Sequence, residues 1–279
     1  MDISTEISSL RFYDLDFSKR IKLLKDCGFT AYDFSMFDLA ITRDNNYKEN
    51  AIKLREYADS IGIKCNQSHA PFPSARIGDE VYNEEITLLI NRAIEISGIL
   101  GAKSCVVHPV NDFNAQQNAI MYQNFIDVAK KYNVKICVEN MWNWTGDYAS
   151  KAACSHHDDF KKHLELLDSN IFVACLDIGH AEMKGLETTA VQMIKTLDKK
   201  LFALHIHDND CHHDNHKLPY TGNIDFAPII TALKEVDYKG DITFEADTLC
   251  KVVPKELIPG ALRFMADIGK YFKSEIENA

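Results

Sequence analysis

Between His205 and His216 the chain reads HIHDNDCHHDNH, which places five of its eleven histidines and three aspartates within twelve residues. Imidazole nitrogen and carboxylate oxygen are donors that suit zinc, manganese and similar divalent ions. A solvated, histidine-rich loop would have the same composition. The rest of the chain separates the two readings, because similar residues recur at the ends of short apolar runs. CNQSHAPF carries His69, CVVHP carries His108, and ICVENMW carries Glu139. ACLDIGH carries Asp177 and then His180, LHIHDND carries His205 and His207, and ITFEAD carries Glu245. Each follows a run that should be buried, where such groups are costly unless paired or bound to a cation. One of them alone is more often a satisfied rim residue than a ligand. Six run ends in succession point to a shared cluster.

Glu139 and Glu245 have no basic neighbour in sequence, which weighs against structural ion pairs. Asp177 and His180 are three apart across a turn, compatible with two ligands or with one ligand and its support. His207 shares strand parity with His205 and is read as a supporting or substrate-facing residue. His156, His157 and His163 lie in a polar helical stretch and are expected on the surface, as are the loop residues His212 and His213. Trp142 and Trp144 follow Glu139 closely. They serve either as loop packing or as an aromatic wall against the apolar face of a sugar.

These run ends need elements to hold them. β-prone runs fall at Ile3–Ile7, Thr30–Phe34, Ile63–Ser68, Ser104–His108, Lys135–Glu139, Phe172–Asp177, Phe202–His207 and Asp241–Glu245. Amphipathic helical patterns alternate with them: Ser18–Cys27, Lys48–Ile61, Glu80–Leu100, Gln116–Tyr132, His157–Leu167, Leu186–Leu197, Phe226–Val236 and about Lys255–Phe272. Gly28, Gly62 and Gly101 mark helix ends. Eight strand–helix alternations predict an α/β fold, a (β/α)8 TIM barrel, with one domain over residues 1–279. A doubly wound sheet usually has fewer strands, and no GxGxxG follows the first one here. In a barrel, the C-terminal strand ends build the active site, and His69, His108, Glu139, Asp177, His205 and Glu245 fall at those ends.

The composition fits this picture: 46% hydrophobic and 26% charged residues in a chain of 279. The formal net charge is −10, and the lysines and arginines form no stripe of the kind that displaces counterions from phosphates. Nucleic acid and anionic membranes are therefore not expected partners. No stretch reaches eighteen consecutive apolar residues, and the N-terminus does not read as a signal peptide. The eight cysteines form no CxxC pair, and several sit inside apolar runs, so free thiols and a cytoplasmic location are expected.

The segments SHAPF, VVHP, VENMW, LDIGH, LHIHDN, DNHKLPYTGNIDF and FEA resemble the xylose-isomerase-like barrel superfamily, in order and with barrel spacing from about residue 63 to 246. That superfamily includes ketose 3-epimerases, inosose dehydratases, hydroxypyruvate isomerase and the endonuclease IV type of abasic-site nuclease. The epimerase resemblance implies one divalent metal on Glu139, Asp177, His205 and Glu245, with the two glutamates as acid and base and His180 against substrate. The nuclease resemblance implies three zinc ions on nine ligands: His69, His108, Glu139, Asp177, His180, His205, Asp214, His216 and Glu245. Where the nuclease pattern runs to GEG, this chain has YTG at Tyr220–Gly222. Phe72 implies a wedge into DNA in one branch and a pocket wall in the other.

The leading expectation is a metal-dependent sugar or sugar phosphate isomerase or epimerase working through an enediolate, with one to three zinc or manganese ions. The absence of a glycine-rich phosphate loop favours an unphosphorylated substrate. The alternatives are a multi-zinc phosphodiesterase acting on abasic DNA and a non-catalytic binding barrel. The resemblance also leaves room for a homo-oligomer.

Overall fold

The computed structural model describes residues 1–13 and 15–277. Eight parallel strands form the barrel: Ile3–Thr5, Ala31–Ser35, Lys64–His69, Ser104–Val106, Lys135–Glu139, Phe172–Asp177, Leu201–His205 and Ile242–Phe244. Strands two to seven form a continuous sheet in chain order, and strands one and eight pair with each other, Ile3 opposite Ile242. Parallel bridges between Glu6 and Asp33 and between Ile206 and Phe244 join the two sheets and close the ring.

Alternation along the strands sorts the side chains into two layers. One parity faces outward, where Ile136, Ala174 and Leu204 join the main hydrophobic core with residues of the helices. The other parity gives a separate buried cluster of Val106, Cys137, Val173, Cys175 and Ala203. Two residues further along that same parity lie His108, Glu139, Asp177 and His205. The lumen of the barrel and the predicted chemistry are therefore one continuous face of the sheet.

Several boundaries differ from the sequence expectation. The first strand stops at Thr5, and Ile7–Tyr13 is a 3-10 helix. The hydroxyls of Ser8 and Ser9 donate to the Glu6 carboxylate, a local side-chain alternative to continued pairing. The long helix expected at Gln116–Tyr132 divides into Ala115–Tyr122, a 3-10 turn at Gln123–Phe125, and Ile126–Tyr132. A 3-10 turn aligns residues three apart, and here it turns both Tyr122 and Phe125 into the core. The helix expected from Leu186 begins at Ala190, capped by Thr189, whose hydroxyl accepts from Gln192 N at 3.2 Å. The preceding Glu187 has φ 55°, which is incompatible with helix.

On the lumen side beneath the mouth, both Asp33 oxygens are buried without a hydrogen bond. Burial raises this carboxyl from 3.8 to about 6, although His205 and His69 pull it down. Because the folded value lies above the unfolded one, its contribution to stability is complete below pH 3.8 and is lost as pH rises to about 6. In metal-free protein, Asp33→Asn should change stability little at pH 4 and raise it by on the order of 3 kcal/mol above pH 7, as read from urea unfolding. A gap of the same size at both pH values would refute this.

Candidate metal centre at the barrel mouth

Backbone constraints fix the side chains at the mouth. Asn140, directly after the fifth strand, brackets the end of the sixth: its Oδ1 accepts from Asp177 N at 2.7 Å and its Nδ2 donates to Asp177 O at 2.9 Å. Asp177 caps the one-turn helix Ile178–Ala181, accepting from His180 N at 2.7 Å. Beyond the seventh strand, Asp208 organises the returning loop. Its backbone pairs with Lys217, and its carboxylate accepts from Gly222 N at 2.8 Å and Ile224 N at 3.0 Å. That loop carries Asp214 and His216 back over the mouth.

The histidine rings are oriented by carbonyl groups. His69 Nδ1 donates to Ala70 O at 2.7 Å, His180 Nδ1 to Asn140 O at 2.8 Å, and His216 Nδ1 to Glu245 O at 2.7 Å. A carbonyl only accepts, so the proton sits on Nδ1 and a neutral ring keeps its lone pair at Nε2. This is the usual support of a metal-binding histidine.

The donor atoms gather into three adjoining groups. In the first, His69 Nε2 lies 2.9 Å from His108 Nε2, and His108 Nε2 lies 3.0 Å from Glu139 Oε2. The second comprises Glu139, Asp177, His205 and Glu245, with His205 Nδ1 3.0 Å from Glu139 Oε1 and 3.2 Å from Glu245 Oε2. The third comprises His180, His207, Asp214 and His216. Glu139 belongs to the first two. The residues fit divalent cations: Glu139 Oε2, Asp177 Oδ2 and Asp214 Oδ1 are buried acceptors that make no hydrogen bond. Such orphans are costly unless something positive lies among them.

Without a cation, protons fill that role. Burial would lower His180, but Asp177 and Asp214 override it and raise it to about 10. Burial raises the Glu245 carboxyl well above the ordinary range despite His205 and His216. Burial would raise Glu139 too, but His205 and His108 hold it well below that range. A metal taking these positions must displace protons, so its affinity rises with pH.

The groups open onto a cleft of about 330 Å³ whose wall includes Phe72, His108, Glu139, Trp142, His180 and Glu245. Phe72 is 48% exposed and its ring lies 4.9 Å from His108. Trp142 meets His180 edge-on at 6.4 Å. Trp144 is not part of the wall and stacks on His213 at 5.7 Å. His207, read as either a supporting or a substrate-facing residue, is fully buried and does not line the cleft, which excludes the substrate-facing alternative. It lies behind Gly179, which has no side chain to hold it off. His163, expected on the surface, is buried, because Phe160, His163 and Leu164 form the inward stripe of helix His157–Glu165. His156 and His157 are partly buried, and so is His212, against Trp144 and Tyr148. Sequence reasoning missed Glu6, which reaches the cleft from the first strand, and Asn140. The strand-end rule, applied to strand one, finds Glu6. Asn140 carries no comparable signal, because its role is to bond backbone.

A model of the xylose isomerase-like TIM barrel matches residues 21–268. The chain belongs to this family. Among its relatives is "Uncharacterized protein MJ1311" of Methanocaldococcus jannaschii, 26% identical over 258 residues that cover 88% of this chain and 84% of that protein. Solved structures share the barrel as well, and two of them are informative. A D-psicose 3-epimerase in the presence of D-fructose has a TM-score of 0.75 at 14% identity and covers 98% of this chain and 99% of its own. An IolI protein with a bound zinc atom has a TM-score of 0.73 at 17% identity, covering 99% of this chain and 98% of its own.

The shared position of Glu139 in this family member gives a ranked expectation. Zinc or manganese added to chelator-treated protein at 100 times Kd should stabilise it by about 2.7 kcal/mol. Glu139→Gln should lose most of that gain, and Asp214→Asn, which touches one group, should lose less. Thermal unfolding with and without metal reads the order, and an equal loss in both variants would contradict it.

Proposed function

We propose that this barrel is a divalent-metal-dependent isomerase or epimerase of a small sugar, moving a proton through an enediolate. The observation that carries the reading is the pair Glu139 and Glu245. They approach His205 from strands five and eight, at 3.0 and 3.2 Å, in one donor group at the cleft. The similar structures named for a ketose epimerase and a zinc-bound IolI support it.

Glu139, Asp177, His205 and Glu245 would hold the ion, which supplies positive charge where an enediolate develops. Glu139 takes the proton from the carbon beside the substrate carbonyl. Glu245, on the other side, returns one. Delivery to the opposite face of the same carbon is epimerisation, and delivery to the neighbouring carbon is isomerisation. Phe72 and Trp142 give the sugar's apolar face a wall. The cleft has no glycine-rich phosphate loop, and Lys251 on its wall is already paired with Asp247 at 2.6 Å. An unphosphorylated sugar suits it better than a nucleic acid or a membrane surface. All eight cysteines are free, consistent with a reducing compartment, and the cytoplasm is the location proposed.

Three adjoining donor groups favour a second reading, a multi-zinc phosphodiesterase acting on abasic DNA. The net charge of −10 opposes it.

With saturating metal in deuterated water, a ketose panel should show deuterium entering a carbon-bound position by NMR. Glu245→Gln should slow this by roughly 10²–10⁴-fold. Undiminished exchange in that variant would sink the assignment, and cleavage of abasic DNA without any exchange would transfer it to the second reading.

A further inference from the structure

His180, Asp214 and His216 all lie on the cleft wall, so an ion held by these three alone would keep an open position for substrate. The chain has a fourth donor there. His207 Nε2 lies 3.4 Å from Asp214 Oδ1, and the donor atoms of all four residues fall within 4.8 Å of one another. Yet His207 is fully buried and absent from the cleft wall. We propose that His207 is a fourth protein ligand, making His180, His207, Asp214 and His216 a closed, structural divalent-metal site distinct from the ion position that serves the reaction.

Four observations support it. His207 Nδ1 is 3.4 Å from Asp208 O, a carbonyl that only accepts, which leaves the Nε2 lone pair facing inward. That Nε2 makes no hydrogen bond, and neither does Asp214 Oδ1 opposite it. Two buried acceptors facing each other across 3.4 Å repel unless a cation or proton lies between. Third, the spacing suits tetrahedral zinc. Bonds of about 2.0–2.1 Å to nitrogen and oxygen place neighbouring ligand atoms roughly 3.3–3.4 Å apart. Asp214 Oδ2 lies 3.4 Å from His180 Nε2 and 3.2 Å from His216 Nε2, and its Oδ1 lies 3.4 Å from His207 Nε2, so each histidine meets the carboxylate at that spacing. Fourth, the position is built to admit the ring. A Cβ on Gly179 would stand 1.9 Å from the His207 ring, whose other face stacks on His216 at 4.3 Å and 4°.

A simpler role would be support of Asp177, whose Oδ1 is 3.1 Å from His207 Nε2. That contact has hydrogen-bond distance but not hydrogen-bond geometry. The closed site would instead fasten the loop carrying Asp214 and His216 onto the ends of strands six and seven. With four protein donors there is no vacancy for substrate, so this ion holds the wall of the cleft and takes no part in its chemistry. The inference stands whichever reaction the cleft performs.

The full chain is stripped with a chelator and reloaded with zinc or cobalt(II). Elemental analysis gives the stoichiometry, a chromophoric chelator gives the affinity, and the visible spectrum of cobalt gives the geometry, four-coordinate tetrahedral ions absorbing most strongly. Subtracting the Asp214→Asn spectrum isolates this site. The expected result is a tetrahedral band in the wild type that His207→Gln abolishes. Glutamine keeps a hydrogen-bond donor for Asp177 but replaces the imidazole. Zinc binding at this site should fall by more than the roughly 10–100-fold that loss of a supporting residue costs. Adding Asp214→Asn to His207→Gln should cause no further loss. His207→Asn serves in the same comparison if the glutamine variant misfolds. An unchanged cobalt band in the variant, with or without weaker binding, would overturn the proposal, as would a wild type with no ion that depends on Asp214.

Discussion

The mouth of this barrel is governed by the convergence of acceptors on one another. Glu139, Asp177 and Asp214 each bring a buried oxygen that no donor satisfies, and the imidazoles around them are held so that their lone pairs face the same space. Such a set is stable only around positive charge. The raised His180 and Glu245 show the protein recruiting protons for that purpose when nothing else is present. The brackets around the site follow from the same need. Asn140 and Asp208 commit their side chains to backbone groups, so that the acceptors cannot turn away from each other.

The barrel supplies the precision. Alternation places His108, Glu139, Asp177 and His205 on the lumen parity, two residues beyond a cluster of small apolar side chains. The chemistry is thus the last layer of a packed column, and its donors come from rigid strand ends. The donors that come from a loop, Asp214 and His216, need separate anchoring, and the Asp208 turn provides part of it.

Much of this was legible in the sequence because a strand's period is two and its end is marked by a change from apolar to polar residues. His69, His108, Glu139, Asp177, His205 and Glu245 could be found from that signal alone. Asp214 and His216 could not, since loop residues obey no period, and the family resemblance identified them. The depth of His207 was hidden for a different reason: it depends on the absence of a side chain at Gly179, twenty-eight residues earlier. His163 was misplaced because its polar neighbours masked the inward stripe Phe160–His163–Leu164. The first strand's early end followed from serine hydroxyls competing for Glu6, a contact that propensity does not register.

The pairing of Ile3 with Ile242 has a consequence for how the protein comes into being. The ring is sealed by the contact between its first and last strands, so a chain emerging from the ribosome carries seven finished strand ends before the barrel can shut. Glu245, just past the last of these strands, is the final donor to be delivered. Until then the growing chain exposes histidines and carboxylates whose mutual arrangement is incomplete. Closure across so long a stretch of sequence is slow, and the nascent barrel must carry this half-built rim of acceptors through that interval.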